Sequence, residues 1–291
     1  MFERTARMIR LPACLALALA VTALAGCKMG QSEDREQAYH RWRLARAHVI
    51  YGVGRECYKA GDLDKAESNA REALKLDAEY APARILLGKV LIERGRYSQA
   101  QAELELAAEQ RPEDHEVIYL AGVAREKRGR FDEALSSYHK ARALAPDNEV
   151  YVTSSAEVLV AMEKPQAALE LLQAHLDHRD GSSNALALAG EVAMLNRKPD
   201  LAAEYYQRCL DADPKADAAR EELARALLMS QRYEEALRVL TALAEEPRHR
   251  ESSAWVYLLT GRCAMALRRP DQALEAYQTA SYAKVICDLI A

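Results

Sequence analysis

The 291-residue sequence is half apolar yet contains only two Phe and two Trp, and its formal net charge is -4. A mildly acidic chain has little to offer a polyphosphate backbone, so nucleic-acid binding is not expected. The alanine-rich, aromatic-poor composition suits close-packed helices better than sheets.

Met1–Arg10 carries Arg4, Arg7 and Arg10 against a single acid, Glu3. Residues 11–24 are then almost wholly apolar, but 14 residues fall short of the roughly 20 that a membrane-spanning helix needs. Residues 1–26 therefore read as a secretory leader. Leu24, Ala25, Gly26 and Cys27 close it, and this quartet resembles the bacterial lipobox, in which an aliphatic residue and two small ones precede an acylated cysteine. The resemblance implies cleavage before Cys27 and a palmitate-type membrane anchor on it, because acyl chains contribute about 0.8 kcal/mol per buried methylene. Among such lipoproteins an aspartate after the cysteine favours inner-membrane retention, so Lys28 tilts the expectation toward the outer membrane, with the protein on the periplasmic face of the envelope. Loss of the leader would remove three arginines and one acid and leave the remainder more acidic. Residues 27–37 are expected to form the lipidated cysteine and a polar tether. Residues 38–46 are expected to form a leading helix turn that packs Trp42 and Leu44 onto the segment beginning at residue 47; the alternative rests Trp42 and its neighbouring arginines on lipid headgroups.

From residue 47 onward the chain repeats. Lys59-Ala-Gly-Asp-Leu-Asp-Lys-Ala66 returns as Glu93-Arg-Gly-Arg-Tyr-Ser-Gln-Ala100 and as Lys127-Arg-Gly-Arg-Phe-Asp-Glu-Ala134. Stepping by 34 from Ala66 meets Ala100, Ala134, Ala168, Ala202 and Ala236, and, after three extra residues, Ala273. Twelve residues upstream of each lies another small residue: Gly54, Gly88, Gly122, Ala156, Gly190, Ala224 and Gly261. A repeat of this length marks a stacked architecture and overrides any domain count drawn from length alone. Each unit also offers two apolar stretches at helical spacing around a breaker. In the third, Val117, Leu120, Ala121 and Ala124 precede Gly129, and Phe131, Ala134, Leu135, Tyr138 and Ala141 follow it. The breakers drift from Gly61, Gly95 and Gly129 to Pro165, Pro199 and Pro270, and proline at these positions is expected to open the second helix of its unit.

The period, the small residues at unit positions 8, 20 and 27, and Pro112, Pro146 and Pro214 at position 32 resemble the tetratricopeptide repeat. The resemblance implies an all-α, right-handed superhelical solenoid of about seven helix hairpins, with units 47–80, 81–114, 115–148, 149–182, 183–216, 217–253 and 254–287 and a tail of 288–291. In that family the first helices line a concave face through positions 2, 5, 6, 9, 12 and 13. Carried onto this sequence, the partner-binding groove comprises Tyr51, Arg55, Lys59, Ile85, Lys89 and Ile92 near the start and Tyr119, Glu157, Glu191 and Met194 in the middle. Arg225, Met229, Leu258 and Arg262 complete it near the end. Such a lining is basic at both ends, acidic between, and apolar along its length, which suits a protein or peptide segment. The family's carboxylate clamp for free C-termini does not occur in three consecutive units.

Nothing in the sequence points to catalysis, a cofactor or a metal. His175 and His178 stand three apart beside Asp177 and Asp180, a spacing that two metal-binding imidazoles can use, but a polar helix end is the preferred reading. Gly52-Val-Gly54 lacks the strand and third glycine of a dinucleotide fingerprint. Cys57, Cys209, Cys263 and Cys287 show no paired spacing and are expected as free thiols. The apolar tail after Lys284 is a poor cap for a repeat array; folding into the last groove, pairing with a second copy and truncation are the alternatives for it. The expected function is a non-enzymatic, membrane-anchored scaffold that holds a protein segment and localises an envelope assembly. Its alternatives are an accessory subunit of a polysaccharide-export or pilus-assembly complex, and an enzyme whose catalytic domain lies beyond Ala291.

Overall fold

A computed structural model describes the backbone of residues 11–177, 181–245 and 254–290, and the side chains of residues 34–177, 181–245 and 254–282. The described residues form helices and no strands, in two compact units, Met1–Glu113 and Asp114–Ala291.

In the first unit, α1 (Leu11–Lys59) pairs with α2 (Leu63–Leu76), and α3 (Ala81–Glu93) pairs with α4 (Tyr97–Gln110). Helix α1 is continuous, so residues 28–37, expected as a tether, are helical. Trp42 does not pack inward as expected: it is 49% exposed, its ring stacked on Tyr39 at 5.7 Å with the Arg46 guanidinium 5.3 Å above it. The lipobox residues Leu24, Ala25, Gly26 and Cys27 lie outside the residues whose side chains are described. Among the described residues, no helix is long and apolar enough to cross a membrane. The buried Glu67 carboxylate joins α2 to α3 by meeting Arg71 at 2.9 Å, Arg94 at 2.9 Å and Arg96 at 3.0 Å.

Among the described residues, the second unit holds five hairpins: α5 (His115–Glu126) with α6 (Phe131–Leu144), α7 (Val150–Ala161) with α8 (Pro165–Leu176), and α9 (Ser183–Leu195) with α10 (Pro199–Ala212). Then come α11 (Asp217–Met229) with α12 (Tyr233–Glu245), and α13 (Ala254–Ala266) with α14 (Pro270–Ile290). Pro165, Pro199 and Pro270 occupy the first turn of α8, α10 and α14, where a missing N–H costs nothing. Helix α14 runs on to Ile290, so the backbone after Lys284 extends the last helix rather than folding back.

Packing explains the period. Ala66, Ala100, Ala134, Ala168, Ala202 and Ala236 have no exposed surface and Ala273 has 1%. The upstream small position is occupied from outside: a Cβ built on Gly122, Gly190 or Gly261 would sit 2.6, 2.6 or 2.4 Å from the ring of Tyr138, Tyr206 or Tyr277. On Gly88 it would meet Leu104 at 2.6 Å. One residue's missing side chain thus makes room for a large one, 16 positions later, in the partner helix.

The turn inside each hairpin is the same throughout, although its sequence changes. Gly61, Gly95, Gly129, Glu163, Arg197, Gln231 and Arg268 all have positive φ, from 57 to 78°. In each case the following residue donates its N–H to the carbonyl five residues back, as Arg130 does to Arg125 at 2.9 Å and Lys198 to Ala193 at 2.9 Å. This is a left-handed helix stop of the Schellman kind. The drift from glycine to proline is therefore not a change of breaker: the left-handed residue keeps its place, and proline two residues later is an addition.

Candidate functional site

One cleft lies wholly within the second unit and on its first helices. It is a cleft of about 640 Å³ lined by Glu157 of α7, six residues of α9, Tyr206 of α10, and Ala218, Ala219 and Glu222 of α11. The α9 residues are Asn184, Ala187, Leu188, Glu191, Met194 and Leu195, which are positions 2, 5, 6, 9, 12 and 13 of the unit that starts at Ser183. Helical geometry brings these six to one face, since positions 2, 5, 9 and 12 follow spacings of three and four residues. The buried Tyr206 ring, seated against Gly190, closes the back of the cleft.

The rim is acidic. Glu222 is paired with Arg225 at 2.6 Å, whereas Glu157 and Glu191 have no hydrogen-bond or ion-pair partner among the described residues. Burial, together with the charges of Glu126 and Glu191, pushes the Glu157 carboxyl above its usual range against the opposing pull of Lys127. Beyond the cleft, Tyr119 lies 5.3 Å from Tyr138 and 5.1 Å from Tyr151, and its hydroxyl is 3.3 Å from Ser154 Oγ. The Tyr151 hydroxyl is 2.6 Å from His115 Nδ1. Tyr138, fully buried, donates to Glu126 at 2.7 Å. These rings form a firm wall rather than a set of free anchors.

The other expected groove residues are distributed differently. Glu157, Glu191 and Met194 meet in the cleft. Arg225 lies beside it, its guanidinium 5.4 Å above the Trp255 ring. Met229, Leu258 and Met265 are 59, 47 and 54% exposed in the last hairpins, and Arg262 is exposed with them. In the first unit, Tyr51 sets its ring edge-on to Tyr80 at 5.3 Å. Arg55 and Lys59 both contact Glu56 at 3.2 Å, which offsets part of the expected basic end. Lys89 and Ile92 are half-buried. Ile85, expected in the groove, is only 8% exposed and belongs to the core, because α3 is apolar nearly all round and packs against α1, α2 and α4. Asn184, Ala187, Leu188, Leu195, Ala218 and Glu222 also line the cleft. Their residue types carry no signal of their own, yet the same positional rule reaches them.

His175 faces Glu149 at 3.6 Å, and the Glu149 carboxylate also accepts from the Ser182 amide at 3.0 Å, as a polar stitch between hairpins. His178 and Asp180 lie outside the described residues. Among the described residues no group of three His, Cys, Asp or Glu side chains converges as metal ligands. Cys57, Cys209 and Cys263 are free thiols, and burial pushes the Cys263 thiol up to about 11; Cys287 lies outside the residues whose side chains are described.

Comparison with known proteins gives a consistent picture. Profiles described as Tetratricopeptide repeat match residues 58–122 and 193–252, 154–217, and 115–148. A curated relative, anaphase-promoting complex subunit 3 of Schizosaccharomyces pombe, is 25% identical over 155 residues, 53% of this chain; the chain spans only 23% of that relative's length. Among solved structures, a tetratricopeptide repeat protein from Parabacteroides merdae is 15% identical, with a TM-score of 0.56 over 84% of this chain and 97% of that one. MamA from Desulfovibrio magneticus is 21% identical, with a TM-score of 0.51 over 59% of this chain and 97% of its own.

Proposed function

Because this chain belongs to the tetratricopeptide-repeat family, we propose that it is a non-catalytic scaffold, lipid-anchored through Cys27 in a bacterial envelope, that captures a protein segment on its first-helix face. The observation that carries the reading is the cleft between α7, α9 and α11, with its apolar floor of Leu188, Met194 and Leu195 and its acidic rim. Apolar and thioether side chains on a rigid wall accept a docked helix or extended peptide by shape, without needing to move. The fully buried alanines keep that wall rigid, so little ordering is required when a partner arrives.

The anchor rests on the leader and the Leu24-Ala25-Gly26-Cys27 quartet. It keeps the captured partner at the membrane, which raises the effective concentration of whatever that partner assembles with. The exposed Tyr39 and Trp42 ring pair on α1 is suited to contact with headgroups. The experiment is fractionation with alkynyl-palmitate labelling, combined with affinity capture of the wild type and of Leu188→Asp. The expected result is label in the membrane fraction that Cys27→Ala abolishes, and a co-purifying protein that Leu188→Asp loses. Unlabelled protein in the soluble fraction would overturn the anchor, and identical capture by both forms would overturn the groove.

A further inference from the structure

The chemistry of the cleft narrows what it can hold. Its floor is apolar, formed by Ala187, Leu188, Met194 and Leu195, with Leu195 51% exposed although it is large and apolar. Over that floor stand two carboxylates, Glu157 and Glu191, on neighbouring first helices α7 and α9. Two other acids on the first helices of this unit are satisfied internally: Glu222 holds Arg225, and Glu126 holds the Tyr138 hydroxyl. Glu157 and Glu191 are left without a hydrogen-bond or ion-pair partner among the described residues, and burial first, then the Glu126 and Glu191 charges, raise the proton affinity of Glu157 against the pull of Lys127. Two like charges held at the edge of an apolar surface are a cost in the empty protein, and a cation placed between them would remove it.

Resting on the peptide-binding reading above, we propose that this cleft selects a basic segment: a short helix or strand whose apolar side chain lies on Leu188, Met194 and Leu195 while a lysine or arginine reaches between Glu157 and Glu191. Charge complementarity excludes the two other occupants that the groove's shape would admit. An acidic apolar segment would bring a third carboxylate to the pair, and a free C-terminal carboxylate would do the same. The overall acidity of the chain reinforces the selection by steering cationic partners toward it.

The probe is a set of three fluorescein-labelled amphipathic peptides of about 12 residues, long enough for three helical turns, with one leucine face and an opposite face of lysine, glutamine or glutamate. They are titrated onto the full-length protein in detergent micelles and read by anisotropy. The lysine peptide is expected to bind at least about tenfold more tightly than the glutamine peptide, a margin of about 1.4 kcal/mol, and to weaken as salt is raised. The double variant Glu157→Gln/Glu191→Gln is expected to erase that margin. The control Glu170→Gln/Glu204→Gln, two exposed acids on the second helices α8 and α10, is expected to keep it. Equal binding of all three peptides, all lost in Leu188→Asp, would overturn the basic selection while leaving the groove intact. Equal loss in both double variants would mark diffuse attraction to an acidic protein and also overturn it. So would no binding of any peptide at about 1 mM, the weak limit of useful affinity. Capture of a native partner, tested separately above, does not depend on these outcomes.

Discussion

Gly190 and Tyr206 form a lock whose strength can be worked from its interatomic distances. Replacing Gly190 with Ala places a Cβ 2.6 Å from Tyr206 Cε1, 2.7 Å from Cζ and 2.8 Å from Cδ1, well inside contact distance. The ring is 3% exposed and cannot swing into solvent without leaving the core. Overpacking of this kind costs roughly 1 to 3 kcal/mol, and alanine returns up to about 1 kcal/mol of helix propensity over glycine. The net expectation for Gly190→Ala is a loss of about 1 kcal/mol. The chain itself supplies the compensating combination. The same two positions hold Ala156 with Leu172 in one unit and Ala224 with Leu240 in another, all without exposed surface. Tyr206→Leu alone should cost about 2 kcal/mol through lost ring burial, but with Gly190→Ala the two changes should couple favourably by about 1 kcal/mol. Urea unfolding followed by far-UV circular dichroism measures all four corners of the cycle. Strict additivity, or a Gly190→Ala variant more stable than wild type, would refute the small-for-large packing argument.

The left-handed turn position gives a prediction of opposite sign: Arg197→Gly should raise stability by roughly 0.5 to 1 kcal/mol and Gly129→Ala should lower it by about 1 kcal/mol, because only glycine holds positive φ without penalty. Thermal unfolding checks both. Ala134→Leu should cost roughly 1 to 3 kcal/mol at a site with no exposed surface, whereas Ser136→Leu on the exposed side of α6 should leave the melting curve unchanged. Alkaline pH should destabilise the fold: burial raises the affinity of Cys263, Tyr138 and Tyr206 for their protons, while unfolded thiols and phenols ionise near about 8.5 and 10. Above about pH 9 the unfolded chain therefore binds fewer protons and stability falls as pH rises. A urea midpoint as high at about pH 10.5 as at about pH 7.5 would contradict this.

Much of this architecture is legible in the sequence because close helix packing demands small side chains at fixed places. Alanine at position 20 of every unit can be read directly, and each of the seven is buried. The positional rule that names Glu157, Glu191 and Met194 also holds for all six α9 residues of the cleft. The features that escape the sequence do so for physical reasons. Positive φ at Glu163, Arg197, Gln231 and Arg268 leaves no compositional trace, since the surrounding hairpin imposes it on residues that do not favour it. Ile85 is buried because α3 has neighbours on several sides, which a single-face reading of a helix does not anticipate. The partners of Arg55 and Arg225 depend on rotamers rather than on spacing. The exposure of Trp42 reflects the uninterrupted course of α1, which carries Tyr39 and Trp42 together on one face.

Capture of a protein segment on the first-helix face is tested most directly by a photo-crosslinking scan in living cells, with a photoreactive residue placed in turn at Asn184, Leu188 and Leu195 on α9 and at Glu204, Gln207 and Asp211 on α10. A common crosslinked protein from the three α9 positions, and none from the three α10 positions, is the expected outcome. Crosslinks to that protein only from α10, or equally from both helices, would contradict it.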